Sequence, residues 1–246
     1  MAKVLLCTPM ALGLCRAEFA VSLLGTVMHL TNSGHQVQTM IDESGSIVRS
    51  RNLAAAAVLL DNSYTHLAFA DADMSWNEMD VFTRMVELDR GVIAGIYTTK
   101  WKEPRWNFKT FCDDLSQLVP DEDGLIELRA APTGLMMIKR EVLEVIAEQR
   151  PDLKINFNVI VHQPGGDVHE PGQFLFFDSR RSATGGEYMT DDYGFSETWT
   201  SLGGKLWAYP DVTIKHHFTT AHEANLQVGL KLLGVRGLVE RELVRG

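Results

Sequence analysis

The first hundred residues alternate between short apolar runs and stretches with apolar residues at helical spacing. The runs predict strands over residues 4–7, 35–41, 65–70 and 91–96. The helical spacing predicts helices over 18–30, 47–60 and 78–88. Strands that alternate with helices form a mainly parallel sheet with helices on its faces. The pattern therefore predicts an α/β fold with a mainly parallel central sheet flanked by helices.

The second half of the chain is less regular. Its pattern predicts strands over 135–138, 206–209 and 212–215, and helices over 140–148, 192–202 and 221–233. Residues 151–188 are rich in proline, glycine and polar side chains, which predicts a long loop of the kind that serves as a lid or binding loop. No internal repeat or interdomain linker is evident. We predict one domain over 1–246, with a regular half (1–100), an irregular half (101–218) and a helical tail (219–246).

Composition narrows the class of protein. Of the 246 residues, 45% are hydrophobic, which is enough for a sizeable core, and the net charge of −9 argues against a general nucleic-acid binder. The three cysteines, Cys7, Cys15 and Cys112, lack metal-site spacing and are typical of reduced thiols. No apolar run reaches the roughly 18 residues that span a bilayer, and no signal peptide is evident. These features predict a cytoplasmic protein that does not enter a membrane.

Four polar side chains follow the four predicted strands of the regular half. Thr8, Asp42, Asp71 and Tyr97 each stand at or just after a strand end. Right-handed crossovers bring the carboxyl ends of parallel strands to one edge, where open α/β sheets bind their ligands. We therefore expect these four residues to converge at a ligand site.

The sequence Asp71-Ala72-Asp73 follows an apolar strand directly. Two carboxylates one residue apart on a turn can face the same ligand, and Mg²⁺ and Mn²⁺ prefer carboxylate oxygen. An isolated pair of this kind is more often a plain turn or helix cap. The position at the ligand edge of the sheet favours the metal site.

Two further pairs are candidates for catalysis and metal binding. Asp191 and Asp192 open a predicted helix, where they are either a general base for an acceptor hydroxyl or an ordinary acidic helix start. His216 and His217 end a predicted strand, and a neutral imidazole suits Mn²⁺, although such a pair is also common on surfaces and in cores. Because side chains alternate along a strand, only one of the two histidines can face the site.

Basic, aromatic and glycine residues supply the remaining candidates. Arg49 and Arg51 lie at a helix start, which suits phosphate as well as plain solvation. The segment after the fourth strand mixes cations with aromatic rings, which suits sugars or bases but also a hydrophobic plug with a charged rim; its members are Lys100, Trp101, Lys102, Arg105 and Trp106. Thr133-Gly134 precedes a strand, where glycine allows the backbone to approach a ligand or simply forms a turn.

Taken in order, these motifs resemble the GT-A glycosyltransferases, near the family 2-like group. The resemblance spans residues 3–218 and includes Gly95-Ile96-Tyr97, Asp191-Asp192-Tyr193-Gly194-Phe195 and Pro210-Asp211-Val212 through His216. The part that ends at Thr98-Thr99-Lys100 is especially similar to glycosyltransferase-like proteins encoded by bacteriophages. The resemblance implies a GT-A fold, a Rossmann-like nucleotide-diphospho-sugar transferase architecture, in which 1–100 binds the nucleotide-sugar and 101–218 binds the acceptor and carries out catalysis.

The resemblance also implies roles for individual residues. It places the nucleotide-sugar, expected to be UDP-linked, on Thr8, Pro9, Asp42, Arg49, Arg51, Asp71, Ala72 and Asp73. It places Mn²⁺ or Mg²⁺ on Asp73 and His216, with Asp71 serving the metal or the ribose. It makes Asp192 the catalytic base of an inverting enzyme, beside Asp191 where the family has glutamate. The residues assigned to the acceptor are Trp76, Tyr97, Lys100, Trp101, Thr133 and Gly134.

The acceptor stays open at the level of sequence. Similarity to phage proteins implies a 5-hydroxymethylated pyrimidine in phage DNA, reached in the host cytoplasm, with the phosphate backbone bound by Lys100, Lys102, Arg105, Arg180 and Arg181. The acidic net charge opposes this, and a glycan or protein hydroxyl is the alternative. A sugar nucleotidyltransferase normally has a glycine-rich loop with a basic residue after its first strand, which Thr8-Pro9-Met10-Ala11 lacks. A non-catalytic sugar-binding module is the other alternative.

Overall fold

A computed structural model describes residues 1–10, 13–43, 45–100, 103, 105–155, 159–163, 166–170, 173–183, 185–217 and 222–235. The strands in this part of the chain are β1 (Lys3–Pro9), β2 (Gln36–Asp42), β3 (His66–Ala70), β4 (Met74–Trp76), β5 (Val92–Gly95), β6 (Ile126–Leu128), β7 (Leu135–Lys139), β8 (Lys154–Ile155), β9 (Val159–Gln163), β10 (Gly166–Glu170), β11 (Gln173–Phe174), β12 (Arg180–Arg181), β13 (Tyr188–Met189), β14 (Leu206–Tyr209), β15 (Thr213–His216) and β16 (His222–Asn225). The α-helices are α1 (Ala17–Asn32), α2 (Ile47–Leu60), α3 (Val81–Glu87), α4 (Arg140–Gln149), α5 (Asp191–Ser201) and α6 (Leu226–Leu232).

Seven strands form the central sheet in the order β2-β1-β3-β7-β5-β14-β6. Strands β2, β1, β3, β5 and β14 run in one direction, and β7 and β6 run against them. The predicted α/β fold with a mainly parallel sheet flanked by helices is confirmed. The carboxyl ends of β1, β2, β3 and β5 therefore lie at one edge.

Alternating side chains of the inner strands fill two separate cores, one on each face of the sheet. Along β1, Leu5 and Cys7 join a cluster that includes the alanine-rich face of α2. Val4 and Leu6 join a second cluster that includes Phe19 of α1. Burial on both faces explains why the inner strands are continuous apolar runs instead of alternating ones.

A small antiparallel sheet, β16-β15-β4, lies beyond the ligand edge of the central sheet. The prediction of a helix over 221–233 is wrong in its first part, because residues 222–225 pair with β15 as strand β16. The helix begins only after Asn225, whose side chain accepts the backbone N–H of Val228 and so caps α6. Strands β4 and β6 have three residues each, too few for an alternation to be recognised.

Residues 151–188 are not one long loop. Their described part contains three antiparallel strand pairs, β8 with β11, β9 with β10, and β12 with β13. Four of these six strands have two residues each, too few to show the apolar alternation by which sequence reveals a strand. Among the described helices, none is long and apolar enough to cross a membrane.

Asn52 of α2 connects the second half of the chain to the first through hydrogen bonds to the backbone of Phe177. Its amide nitrogen donates to the carbonyl of Phe177 at 2.7 Å, and its amide oxygen accepts the Phe177 N–H at 3.0 Å. Both residues are buried, so no water replaces these bonds if they are lost.

We expect Asn52→Ala to lower the free energy of unfolding by about 2–4 kcal/mol, because it leaves a buried N–H and a buried C=O without partners. Urea denaturation measures the change. Arg49→Ala, an exposed position on the same helix, is the control and should change stability by less than ~0.5 kcal/mol. Equal stability of the two variants would contradict the role given to Asn52.

Candidate functional site

The small sheet brings Asp73 and His216 together. His216 lies opposite Met74 in the pairing of β15 with β4, and the backbone N–H of His217 donates to the carbonyl of Asp73 at 2.8 Å. The imidazole Nε2 of His216 then lies 3.9 Å from Oδ1 of Asp73. His217 points elsewhere, with Nε2 2.8 Å from the Ser75 hydroxyl. Strand alternation therefore selects His216 as the histidine of the site.

His216 presents an unprotonated nitrogen to Asp73. Its Nδ1 lies 2.8 Å from the carbonyl oxygen of Thr98, and since a carbonyl only accepts, Nδ1 carries the hydrogen. Burial lowers the pKa of His216, which favours the neutral ring. A ring whose far nitrogen is held by a carbonyl is the usual arrangement of a metal-ligating histidine. Asp73 and His216 thus fit as two ligands of a divalent cation.

Lys100 is the third member of this group. Its ammonium forms an ion pair with Oδ2 of Asp73, and both side chains are partly exposed. Within the described residues, no group of three or more His, Cys, Asp or Glu side chains is arranged to hold a metal ion. A cation at Asp73 and His216 would therefore need further ligands from substrate or water, and it would compete with Lys100.

A buried arginine connects the turn after β3 with the start of α5. The guanidinium of Arg51 donates to Asp191 at 2.5 Å and to the two oxygens of Asp71 at 3.0 and 3.2 Å. Only 4% of Arg51 is exposed. Burial opposes its charge, but the attraction of Asp71 and Asp191 outweighs burial and raises the pKa of Arg51. Arg51, expected at the nucleotide, thus holds two carboxylates instead.

Asp71 is fixed by these contacts and by the backbone. Its N–H donates to the carbonyl of Gly134 at 2.9 Å, and 17% of its side chain is exposed. Burial raises the pKa of Asp71, while the Arg51 guanidinium opposes the rise. The two acids of the turn therefore have different surroundings, with Asp71 paired inside and Asp73 half-open to solvent.

Asp191 and Asp192 likewise differ. Asp191 is paired with Arg51, whereas Oδ1 of Asp192 accepts hydrogen bonds from the Thr190 hydroxyl and the Tyr193 backbone N–H. Burial raises the pKa of Asp192, and its hydrogen bonds oppose this rise. Because the carboxylate of Asp191 is already paired with a guanidinium, Asp192 is the better candidate for proton abstraction.

Several residues expected at the acceptor are buried. The Tyr97 hydroxyl accepts the Gly134 N–H at 3.1 Å, and its ring meets the His216 ring edge-on at 5.0 Å between centroids. Thr133 has no exposed surface, and a Cβ on Gly134 would lie 2.1 Å from Cε of Met74. Tyr97, Thr133 and Gly134 are therefore buried beneath the site. Position 134 requires glycine, because the side chains of Met74 and Tyr97 leave no room for a Cβ.

Trp76, also expected at the acceptor, lies in the core. Its indole N–H donates to Thr26 at 2.9 Å, and its ring packs edge-on against Phe19 and Phe82. A side chain 2% exposed has no surface to offer an acceptor, which removes Trp76 from the candidate site. Trp101 and Lys102 lie outside the described residues.

A cleft of about 390 Å³ opens beside the turn. The predicted residues Pro9, Asp71, Ala72 and Asp73 line it together with Leu14, Cys15, Arg16 and Ile47, which sequence reasoning missed. Arg16 immediately precedes α1. A cation just before a helix that starts at the ligand edge is the sequence signal that could have identified Arg16 as part of the cleft. Thr8 is buried, Asp42 accepts a hydrogen bond from Ser50, and Arg49 is exposed at the start of α2.

The chain matches no protein-family model and no curated protein sequence. Among solved structures it resembles A197 from STIV, at 15% identity over 89% of this chain and 86% of that chain, with a TM-score of 0.49. It resembles GalNAc-T7, solved with UDP, GalNAc and Mn²⁺, at 11% identity over 88% of this chain and 44% of that chain, with a TM-score of 0.44. A glycosyltransferase involved in glycosylation of the major capsid of PBCV-1 shares 11% identity over 61% of this chain and 67% of that chain, with a TM-score of 0.35.

We expect Arg51→Met to destabilise the protein by about 3–5 kcal/mol, because it leaves Asp71 and Asp191 buried without a counter-charge. Without the guanidinium, the folded-state pKa of Asp71 rises further above its unfolded value. Such a carboxyl costs stability once pH exceeds the unfolded pKa, so the deficit should be larger at about pH 7 than at about pH 4. Urea denaturation at the two pH values tests this.

Arg84→Met is the matched control, because Arg84 pairs with Glu87 in solvent with about half of each side chain exposed. Its loss should cost no more than ~0.5 kcal/mol at either pH. A deficit in Arg51→Met that is small, or the same at both pH values, would show that the two carboxylates do not depend on Arg51.

Proposed function

We propose that the protein is a metal-dependent glycosyltransferase of the GT-A type, which transfers a sugar from a nucleotide-diphosphate sugar, with UDP as the expected nucleotide, to a hydroxyl group. One observation carries the proposal. The Asp71–Asp73 turn, His216 and the start of α5 meet at the ligand edge of a mainly parallel sheet, and buried Arg51 ties the turn to α5. Arg51 thereby links the turn that lines the cleft to the helix start that carries the candidate base.

The cleft beside the turn is the proposed donor site. Pro9 and Ile47 give it apolar walls for a nucleoside, and Arg16 stands at the amino end of α1, where free N–H groups favour a diphosphate. Asp73 and His216 would hold Mn²⁺ or Mg²⁺. When bound, the metal neutralises negative charge that develops on the departing diphosphate.

Transfer exchanges one bond at the anomeric carbon for another. The bond to the diphosphate oxygen breaks, the bond to the acceptor oxygen forms, and the acceptor proton leaves. For transfer with inversion, we assign the removal of that proton to Asp192, and burial raises the pKa of Asp192, which favours a base. Asp191 positions this helix start through Arg51, so we assign it a positioning role.

A hydroxymethylated base in DNA is the acceptor implied by similarity to phage proteins. Two of the cations expected to bind the DNA backbone have internal partners: Lys100 pairs with Asp73, and Arg180 donates to the Gly194 carbonyl and to Thr198. These contacts weaken the case for DNA, which depends on free cations facing the phosphates. Hydroxymethylcytosine DNA is therefore an acceptor to be compared with others.

We expect Asp192→Asn to lower the rate of sugar transfer by about 10²–10⁴-fold, because the base is lost. The affinity for UDP should stay within about twofold, since the base does not touch the nucleotide. Transfer from labelled UDP-sugars and UDP titration calorimetry measure the two effects. Asp89→Asn, at the opposite edge of the sheet before β5, is the matched control and should keep full activity.

The product identifies the reaction class. Release of UDP supports a glycosyltransferase, whereas pyrophosphate formed from UTP and a sugar phosphate would establish a nucleotidyltransferase. Full transfer by Asp192→Asn would remove Asp192 as the base.

We expect Asp73→Asn and His216→Gln each to weaken Mn²⁺ binding by about tenfold or more, since each loses a ligand. Lys100→Met should strengthen it by about threefold, because a competing, half-exposed ion pair worth no more than ~1 kcal/mol is removed. Electron paramagnetic resonance of Mn²⁺ in the presence of UDP measures binding directly. His217→Gln, whose imidazole faces Ser75, is the control; weakening as large as that in His216→Gln would contradict the assignment.

A further inference from the structure

A second pocket, larger than the donor cleft, lies between the β12–β13 strand pair and α5. Its volume is about 480 Å³, within the range of pockets that bind small molecules. The residues used here to define this hairpin pocket are Lys109, Phe111, Arg129, Glu187, Glu197 and Thr200. The proposed function assigns it no role.

The lining combines an open aromatic ring with balanced charge. Phe111 is 65% exposed, so its ring is accessible to a ligand in the pocket. Lys109 pairs with Glu187 at 3.0 Å, and Glu197 accepts the Ser182 hydroxyl at 2.6 Å. Lys109 and Arg129 give two positive charges, and Glu187 and Glu197 give two negative ones, so the charged lining sums to zero.

This chemistry suits a neutral ligand rich in hydroxyl groups. Carboxylates accept hydrogen bonds from hydroxyls, cations donate to them, and the face of an aromatic ring covers the C–H side of a sugar. A nucleic-acid backbone would instead require a positive surplus. The hairpin pocket therefore favours a glycan over DNA.

One residue of the pocket lining, Lys109, lies near the start of α5, which carries the candidate base. Lys109 lies 5.4 Å from the ring centre of Tyr193, the residue after Asp192, and the Tyr193 hydroxyl donates to Asn107 at 3.1 Å. Thr200 lies eight residues beyond Asp192 in α5, about 12 Å along the helix axis. A chain of two or three sugars could extend over such a distance.

We propose that the hairpin pocket is an acceptor subsite, and that the acceptor is a neutral oligosaccharide whose terminal sugar reaches Asp192 while an inner sugar stacks on Phe111. This inference rests on the proposed function. It adds the class of acceptor. It also assigns acceptor specificity to a pocket that shares no lining residue with the proposed donor cleft.

The test uses the full chain with a panel of neutral oligosaccharides of two to four sugars, together with hydroxymethylcytosine DNA. Saturation-transfer NMR measures binding of each probe, and UDP titration and UDP release without acceptor report on the donor site. Phe111→Ala should weaken oligosaccharide binding by about tenfold or more, as truncation of a central aromatic contact does. Ser201→Arg, which fills the pocket from an exposed position, should do the same. Val119→Ala removes an exposed apolar side chain outside the pocket lining and is the control.

The outcomes separate the two proposals. Oligosaccharide binding that both pocket variants lose, with UDP binding and UDP release unchanged, supports the subsite. Absence of oligosaccharide binding in a protein that still binds UDP and releases it from a UDP-sugar would overturn the subsite and leave the proposed function standing. Transfer to hydroxymethylcytosine DNA that is unaffected by Phe111→Ala would also overturn it. A protein that neither binds UDP nor turns over any UDP-sugar would overturn the proposed function itself.

Discussion

The ion-pair network around Arg51 is the constraint on which the candidate site depends. The guanidinium of Arg51 is almost fully buried and bonds to Asp71, just after β3, and to Asp191, at the start of α5. Arg51 and Asp191 are 140 residues apart along the chain. A charge buried to this extent is tolerated only with partners in place. The turn and the helix therefore cannot move apart without exposing an unpaired charge, and this holds the Asp71–Asp73 turn and the start of α5 at a constant separation.

The same network gives four carboxylates different partners. They are Asp71, Asp73, Asp191 and Asp192. Asp71 and Asp191 neutralise Arg51, which leaves Asp73 near His216 and Asp192 bonded to Thr190 and to the Tyr193 N–H. Residues adjacent in sequence thus take separate roles, because successive positions on a turn or a helix start point in different directions. Beneath these carboxylates, the hydroxyl of Tyr97 accepts a hydrogen bond from the backbone N–H of Gly134.

The regular half of the fold was predictable because its signals are local. Strands such as β3 are continuous apolar runs, and α2 was predicted with the boundaries that it has in the structure. The convergence of Asp42 and Asp71 at one edge followed from strand direction alone. The role of Arg51 was not predictable, since its partners come from distant segments and a helix start suggests contact with phosphate just as well.

The second half was less predictable for a related reason. Trp76 looked like a residue of a binding site, but pairing of β4 with β15 carries it into the core between α1 and α3. The hairpin pocket is formed by segments around Lys109, Arg129, Glu187 and Glu197, whose proximity depends on tertiary pairing and leaves no periodic pattern in the sequence.

The pairing of β15 with β4 also acts as a check on correct folding. Because the side-chain period of a strand is two, a slip of one residue would place Lys215 or His217 opposite Met74, where His216 belongs. Lysine there would repel a cation, and His217 would lose its contact with Ser75. Only the observed register keeps both contacts, His216 beside Asp73 and His217 beside Ser75.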